Sequence, residues 1–526
     1  MPARLKEWLH DGAEIALLDV REHGQYGEGH LFYAVPLPYS RLELDVRRLV
    51  PNRATRVVVY GDAATDVDQR ALERLRALGY TRVHRLAGGV QAWADAGMPL
   101  FKGVNVPSKT FGELVEHELG TPRISARELA ERQAAGENLI VLDGRPFDEY
   151  RKMSIPGALC CPNGELALRI GELAPDPATT IVVNCAGRTR SIIGAQTLLD
   201  FGVNNRVLAL ENGTQGWYLV DLELQHGSTR RHGSNTAPAD LEQRQRQARA
   251  MAARHGVPML ETAQAQALLD DTTHTSFVLD VRTPEEFAAG TLPGARHAPG
   301  GQLLQATDQY VGVRGARLLL LDSDGVRAPV VAAWLRRMGH DAAVVREGIA
   351  AALRVPAQAH EPLAAPELLP IEPAELALAR DAGQLAIIDL RPSMAFRQAH
   401  VPGSTWSIRS RLLDDARRLG KPLALVADEP ALARIAASDL VAAGLAAPRL
   451  LRDGLASWRA AGLPLASSPD TPADADCIDY LFFVHDRHDG NKAAARGYLA
   501  WETGLLAQLD ERELAGFRIA GASAAA

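Results

Sequence analysis

One cysteine in this sequence has a setting that could make its sulfur a nucleophile. Cys185 comes shortly after the apolar run 181–183, and a helical pattern begins a few residues later at Ile192. A buried strand that leads into a tight loop and then a helix presents backbone N–H groups and the positive end of a helix dipole to the loop centre. Arg188 and Arg190 add positive charge. We therefore expect Cys185 to be a reactive thiolate.

The other residues of this loop also have ordinary structural explanations. A lone cysteine after a buried strand is commonly a small core residue, Gly187 suits a turn, and Ser191 is most simply a helix N-cap. Arg188 and Arg190 could be solvated surface charges, but their planar guanidinium groups match a sulfonate or a carboxylate. Arg188 is the better candidate for specificity, because only Arg190 has a counterpart in a later repeat.

The sequence context of this loop occurs four times along the chain. In each copy an Asp-x-Arg triplet closes an apolar run, a second run precedes the loop, and a helical stretch ends at a glycine. A Pro-Gly-Ala or Pro-Gly-Ser turn lies between the first two runs in three copies, and a Gly-x3-Trp turn closes three copies. The triplets begin at Asp19, Asp143, Asp280 and Asp389. Apolar runs that alternate with helices predict a parallel sheet covered on both faces.

These motifs, in this order, resemble the rhodanese family of sulfurtransferases. The resemblance extends to about residue 465 and implies an α/β fold with four tandem rhodanese-like domains and a partly helical C-terminal tail. The predicted domains, linker and tail are residues 1–105, 120–225, 226–257 (linker and surface helix), 258–355, 370–465 and 466–526 (tail). The polar stretch 226–235 is expected to be an exposed connector that divides the chain into two halves.

A comparison of the four loops indicates which of the four domains could be catalytic. At the position of Cys185 the first repeat has Gly61, the third has Asp322, and the fourth has Ala427 or Asp428. We therefore predict that only the second domain is catalytic. Two carboxylates in the third loop would also repel an anionic substrate.

The predicted site combines one nucleophile with residues that would bind the substrate. Asp-x-Arg occurs in all four repeats, so a scaffold role is favoured for Arg145, although it is kept as a candidate. Cys185 is the catalytic candidate, and the substrate-binding candidates are Ala186, Gly187, Arg188, Thr189, Arg190, Ser191 and Arg145.

A thiolate in such a loop would attack the outer sulfur of thiosulfate, or the sulfur of mercaptopyruvate, and hold that sulfur as a persulfide. Cyanide, a small thiol or a protein cysteine would then accept the sulfur. Two arginines in one loop favour the doubly charged thiosulfate. We expect ping-pong kinetics with neither a metal nor an organic cofactor.

Two other functions remain open. Phosphatases and arsenate reductases of the same fold use a Cys-x5-Arg loop, but the sixth residue after Cys185 is Ser191, which disfavours them. Alternatively, the three repeats without a cysteine at this position (the unarmed repeats, as opposed to the armed second repeat) could dock protein partners. Cys185 would then carry persulfide sulfur between proteins with little small-molecule turnover.

Composition limits the partners of the protein. The chain has 526 residues, 47% of them hydrophobic, and a net charge of −7, which predicts several domains and no attraction to nucleic acid or membrane. No basic leader or apolar run of about 20 residues is seen, so a cytoplasmic location is predicted. Four cysteines without a CxxC pair argue against a disulfide framework or a structural zinc site.

Two further groups of residues could take part in the chemistry. Cys160 and Cys161 should point to opposite faces of a short extended segment. One of them could resolve the persulfide, but a buried structural role is favoured. In the tail, helical periodicity runs from about residue 491 to 514, and the cluster His485–Asp489 fits no metal template. We expect the tail to be a cap across the repeats, with a role at the active site less favoured.

Overall fold

The protein is described by a computed structural model covering residues 1–233, 238–356, 363–488 and 490–519. These residues fall into two compact units. One unit contains residues 1–5, 16–104 and the described part of 359–482. The other contains residues 6–15 and the described parts of 105–358 and 483–526. The first and fourth repeats therefore share one unit, and the second and third share the other.

Each repeat forms its own parallel sheet. The strands are β1 (Ile15–Asp19), β2 (Val35–Pro36), β3 (Arg56–Tyr60), β4 (Val83–Arg85), β5 (Arg123–Ile124), β6 (Leu139–Asp143), β7 (Leu159–Cys160), β8 (Thr180–Asn184), β9 (Val207–Leu210), β10 (Met259–Leu260), β11 (Ser276–Asp280), β12 (Arg296–His297), β13 (Arg317–Leu321), β14 (Asp341–Val345), β15 (Pro370–Ile371), β16 (Ala386–Asp389), β17 (Thr405–Trp406), β18 (Leu423–Val426) and β19 (Arg449–Leu451). The first sheet has the order β2-β1-β3-β4. The other three have the orders β5-β9-β8-β6-β7, β10-β14-β13-β11-β12 and β15-β19-β18-β16-β17.

Helices follow most strands. They are α1 (Pro2–Trp8), α2 (His23–Glu28), α3 (Leu42–Leu49), α4 (Val67–Ala77), α5 (Gly89–Asp95), α6 (Val106–Leu119), α7 (Ala126–Ala134), α8 (Phe147–Lys152), α9 (Leu166–Leu173), α10 (Thr189–Phe201), α11 (Gly213–Leu219), α12 (Leu241–Arg254), α13 (Thr262–Asp270), α14 (Pro284–Ala289), α15 (Gly300–Gln305), α16 (Arg327–Arg337), α17 (Pro373–Asp381), α18 (Ser393–Gln398), α19 (Arg409–Leu419), α20 (Pro430–Ala442), α21 (Gly454–Ala460), α22 (Phe482–His485), α23 (Lys492–Thr503) and α24 (Glu511–Leu514). In the second repeat, Val182 packs with Leu208 and Trp217, while Ile181 and Val183 lie in a separate core on the other face. Both faces of that sheet are therefore covered, and the predicted α/β class is confirmed.

The Asp-x-Arg triplets build the same scaffold contact in all four sheets. Arg145 donates two hydrogen bonds to Asp143, of 2.8 and 2.7 Å, and Nη2 also donates to the carbonyl of Met153 at 2.6 Å. The other three triplet arginines each bind their own aspartate and a backbone carbonyl eight residues further on. The triplet therefore ties the end of one strand to the following loop, which is the contact that a scaffold role requires.

The expectation that residues 226–235 divide the chain into two halves is wrong. Ser228 is buried within 2.6 Å of the Tyr150 hydroxyl, and Cys160 exchanges backbone hydrogen bonds with Arg230 and His232. Residues 234–235 lie outside the described part. Helix α12 then packs against α9, α10 and α16, because its arginine- and glutamine-rich sequence still carries a small apolar face. The second and third repeats are thereby held in one unit.

The two adjacent cysteines lie on opposite faces of the second sheet, as predicted. Cys160 belongs to the core that contains Trp217, and Cys161 belongs to the core that contains Leu198. Burial raises the pKa of Cys160 to about 12 and that of Cys161 well above its ordinary value. Both thiols are therefore poor nucleophiles in this structure.

The tail forms short helices rather than one long one, and the cluster His485–Asp489 is only partly described. His485 and Asp486 are exposed, and Asp489 lies outside the described residues. Within the described ranges, no three His, Cys, Asp or Glu side chains gather as a metal site. None of the helices described is both long and apolar enough to cross a bilayer.

Candidate active site

Strand β8 ends directly before Cys185 and places it at the carboxyl-terminal end of the strands of the second sheet. Asn184, the last residue of β8, donates from Nδ2 to Asp143 Oδ2 at 2.9 Å. Its carbonyl accepts a hydrogen bond of 2.8 Å from the N–H of Gly144. Since Asp143 is itself held by Arg145, the strand end beneath Cys185 is fixed on both its side chain and its backbone.

A glycine turn holds the other side of the loop. The N–H of Thr214 donates to the Cys185 carbonyl at 2.9 Å, and the N–H of Gln215 donates to the Ala186 carbonyl at 3.1 Å. Gly213 has φ +54°, and a Cβ there would lie 2.2 Å from the Cys185 oxygen. Only glycine fits both this backbone conformation and this approach.

The same glycine turn identifies the residues that replace Cys185 in the other repeats. A Cβ on Gly89, Gly348 or Gly454 would lie 2.2, 2.0 or 2.7 Å from the backbone oxygen of the matching loop residue. Those residues are Gly61, Asp322 and Ala427. The fourth repeat therefore has Ala427 at this position rather than Asp428, and none of the three positions carries a thiol.

The backbone of the loop is available to an anion. Within the described part of the chain, the N–H groups of residues 186–191 donate to no protein acceptor. They include the first N–H groups of α10, which helix geometry leaves without intrahelical partners. The helix dipole adds positive potential at this end. The loop therefore supplies unpaired donors around Cys185, as the sequence predicts.

Ser191 lies inside helix α10 and its hydroxyl contacts the cysteine. Its Oγ donates to Cys185 Sγ at 3.1 Å, and Arg188 occupies the N-cap position. The prediction that Ser191 caps the helix is therefore wrong. The N-cap expectation failed because the helix begins at Thr189, three residues earlier than the apolar pattern indicates.

Arg190 is the loop arginine that interacts electrostatically with Cys185. Its Nη1 and Nη2 donate to Glu149 at 3.0 and 2.8 Å, and Nη1 also donates to Gln302 Oε1 at 3.4 Å. Burial lowers its pKa, but the charges of Glu149 and Cys185 outweigh burial and raise that pKa overall. Among the described contacts, Nε has no protein acceptor.

Arg188 is engaged by a different helix. Its Nε and Nη2 donate to Glu113 of α6 at 2.6 and 2.9 Å, Nη2 also donates to Glu116, and Nη1 donates to Asn212 at 3.4 Å. All three nitrogens of the guanidinium group thus have protein partners. The structure offers no support for Arg188 over Arg190 as the specificity residue.

A carboxylate from the C-terminal tail reaches the loop. Glu502 of α23 is only 2% exposed, and its Oε1 accepts a hydrogen bond of 2.9 Å from the Thr189 hydroxyl. Its Oε2 has no described partner and lies 3.1 Å from where a Cβ on Gly187 would stand. Lys109 of α6 donates a hydrogen bond to Tyr498, which lies on α23 together with Glu502. The sequence favours a cap across the repeats for this tail, and its helical periodicity from about residue 491 predicts the helix but not the contact of Glu502 with the loop.

The third-repeat loop shows what the N–H groups at the matching positions bind in that repeat. Asp322 accepts hydrogen bonds from the N–H groups of Gly325 and Ala328 at 3.0 and 2.8 Å. Asp324 accepts from those of Val326 and Arg327 at 2.9 and 3.1 Å. The loop in this fold is therefore an anion cradle, and in the third repeat its own carboxylates fill it.

Glu113→Gln is expected to flatten the pH dependence of stability. Burial raises the pKa of Glu113 from 4.5 to about 7; Arg188 opposes this shift and Glu502 adds to it. Between pH 4.5 and about 7, Glu113 in the folded protein keeps a proton that the unfolded chain has released. The contribution of this proton to the stability of the fold is therefore complete below pH 4.5 and is lost as the pH rises towards 7.

Urea unfolding of wild type and variant across this pH range measures the difference. One proton corresponds to a slope of at most about 1.4 kcal/mol per pH unit. Equal slopes for the two proteins would show that Glu113 titrates normally.

Comparison with known proteins matches this chain to one family model and to one solved structure over almost its whole length. Residues 1–96, 125–219, 261–353 and 372–461 match the family described as Rhodanese-like domain. The solved structure of a thiosulfate sulfurtransferase from Pseudomonas aeruginosa is 42% identical, with 99% of each chain covered and a TM-score of 0.89.

Two curated relatives match part of the chain. A putative sulfur carrier protein, YrkF of Bacillus subtilis, is 26% identical over 28% of this chain and 85% of its own length. The HTH-type transcriptional regulator Rv0324 of Mycobacterium tuberculosis is 35% identical over 22% of this chain. The chain spans only 50% of the length of that regulator.

Proposed function

Because this chain belongs to the rhodanese-like family, we propose that it moves a sulfane sulfur from thiosulfate through a persulfide on Cys185 to cyanide or a small thiol. The observation that carries this proposal is the loop of the second repeat. There a thiol lies among backbone N–H groups that have no described protein partner, and it accepts a hydrogen bond from Ser191. The similarity to a thiosulfate sulfurtransferase over 99% of the chain supports the same chemistry.

In the first half-reaction, the Cys185 thiolate attacks the outer sulfur of thiosulfate. A sulfur–sulfur bond forms to Cys185 while the bond within thiosulfate breaks, and its electron pair leaves with sulfite. Negative charge leaves the attacking thiolate and ends on the outer persulfide sulfur and on the departing sulfite, next to the loop. The free N–H groups of residues 186–191 and the positive end of α10 would stabilise that charge without reorganisation.

Arg190 would orient the donor. Its Nε has no described acceptor, whereas its other two nitrogens are held by Glu149 and Gln302. A guanidinium group fixed in this way can donate to a sulfonate oxygen without losing its own support. The doubly charged thiosulfate gains more from this charge than the monocarboxylate mercaptopyruvate, so thiosulfate is the favoured donor.

In the second half-reaction, an acceptor attacks the outer sulfur of the persulfide. Cyanide would leave as thiocyanate, or a thiolate would leave as its own persulfide, and the electron pair of the broken bond would return to Cys185. The cysteine is only 2% exposed. This burial favours small acceptors over a protein thiol, although a protein acceptor remains an outcome of the test.

Each chain would carry one transferable sulfur. The residues that replace Cys185 in the other repeats are Gly61, Asp322 and Ala427, none of which can form a persulfide. Of their domains, the third-repeat domain lies in the same unit as Cys185 and would help to form the walls of the site.

Steady-state assays with thiosulfate and cyanide test the proposal. We expect thiocyanate formation with parallel double-reciprocal lines, because the enzyme alternates between free and persulfide forms. If sulfur passes only to a protein thiol, the protein is a carrier instead. Hydrolysis of a phosphate ester without sulfur transfer would contradict the proposal and favour a phosphatase.

A further inference from the structure

The second and third repeats hold matching arginines in different charge environments. Arg190 and Arg327 occupy the same position in their repeats, close to the start of the helix that follows the loop. Each binds a glutamate from the helix after the Asp-x-Arg triplet of its own repeat, Glu149 or Glu286. Each also binds a side chain from the other repeat. The two loops therefore form an internal comparison between an armed and an unarmed site.

In the unarmed repeat the arginine is surrounded by carboxylates. Arg327 donates to Glu286 at 2.5 and 2.7 Å, to Asp324 at 2.8 Å, and to Glu165 of the second repeat at 2.9 Å. Three negative charges thus surround one positive charge. Such a site has no positive potential left for an anionic ligand.

In the armed repeat the matching arginine binds fewer carboxylates, although the Glu502 carboxylate lies beside Gly187 and binds Thr189. Arg190 binds one carboxylate, Glu149, and the partner from the third repeat is the neutral amide of Gln302. The loop position that matches Asp324 is Gly187. The loop around Cys185 therefore has two fewer carboxylates on its arginine than the loop around Asp322.

We propose that Gln302, supplied by the third repeat, is a positioning residue that sets the specificity of the second-repeat site for anionic sulfur donors. It supports the Arg190 guanidinium through an uncharged oxygen, so that the positive charge of Arg190 remains available to the donor. The catalytically unarmed third repeat thereby contributes directly to the site that contains Cys185. This inference rests on the proposed function.

The location of Gln302 makes this role testable without unfolding the protein. Gln302 is half-buried and lines a cavity of about 780 Å³ that the second and third repeats form together. A carboxylate at this position could be solvated from the cavity. Gln302→Glu keeps the size and the hydrogen-bond acceptor, and it recreates the pairing that Arg327 has with Glu165.

The Gln302→Glu variant should be compared with wild type in both half-reactions. We expect kcat/KM for thiosulfate to fall about tenfold, because one added charge lies close to a partly screened site. The deficit should shrink at high salt. The kcat/KM for the acceptor should change much less. Glu165→Gln, the reciprocal change at the Arg327 pair, is the matched control and should leave both constants unchanged.

Alkylation of Cys185 provides a readout that does not need turnover. The ratio of its rate with anionic iodoacetate to its rate with neutral iodoacetamide reports the charge at the loop. We expect this ratio to fall several-fold in Gln302→Glu and to stay constant in Glu165→Gln.

An unchanged ratio and an unchanged kcat/KM for thiosulfate would overturn the inference. Equal losses in both half-reactions that do not respond to salt would also overturn it, since they indicate a purely structural role. If wild type fails to turn over thiosulfate, the proposed function fails. In that case the alkylation ratio still decides whether Gln302 sets the charge at Cys185.

Discussion

Cys185→Ser is expected to reduce thiocyanate formation from thiosulfate and cyanide by about 10⁴-fold or more. A serine hydroxyl remains protonated in this loop and cannot form a persulfide. The positions that match Cys185 in the other repeats offer no substitute thiol. The variant should fold normally, because only one side-chain atom is exchanged for a smaller one and the carbonyl of residue 185 keeps its bond from Thr214. Steady-state assays on the purified full chain measure the loss.

Cys160→Ser is the matched control for the nucleophile. Cys160 is as buried as Cys185, with exposures of 1% and 2%, and it lies in the same repeat. Its pKa of about 12, raised by burial, argues against a redox role. We expect this variant to keep activity within a few-fold of wild type. Loss of activity in Cys160→Ser with retention in Cys185→Ser would reverse the assignment.

Arg190→Ala is expected to lower kcat/KM for thiosulfate by about 100-fold to 1000-fold, the usual effect of removing one preorganised donor to a developing charge. Removal of Arg190 also leaves the Glu149 carboxylate unpaired beside the loop, which adds repulsion to the loss of binding. Arg190→Lys keeps the charge but cannot hold Glu149 and a donor at once. Its activity should fall between those of wild type and Arg190→Ala.

Arg188→Lys is the companion variant for the second arginine of the loop. The guanidinium of Arg188 is occupied by Glu113, Glu116 and Asn212, so its exchange should alter stability more than catalysis. Half-reaction kinetics and urea unfolding separate the two effects. A larger catalytic loss in Arg188→Lys than in Arg190→Lys would restore Arg188 as the specificity residue and contradict the assignment of Arg190.

The fold could be predicted from the sequence because its signals are local and repeated. The apolar runs that end at Asp143 and Asn184 became neighbouring buried strands, and the Asp-x-Arg triplet became the same contact in four sheets. The position of Cys185 between a strand and a helix followed from the same pattern. Comparison among repeats also favours a scaffold role for Arg145, which binds Asp143 in the structure.

The directions of the side chains could not be predicted in this way. Arg188 and Arg190 are held by Glu113 of α6 and Glu149 of α8, and neither carboxylate has a sequence signal that links it to the loop. The contacts between the second and third repeats include α12, whose charged sequence suggests a surface helix. Glu502 reaches Thr189 from a tail more than 300 positions away. Long-range packing of this kind leaves no periodic pattern.

The most direct test of the account is the intact mass of the purified protein before and after incubation with thiosulfate. We predict a gain of one sulfur atom per chain that cyanide removes and that Cys185→Ser does not show. Cys160→Ser should gain the same mass as wild type. A wild-type protein that gains no sulfur, although its Cys185 reacts with iodoacetamide, would contradict the persulfide mechanism.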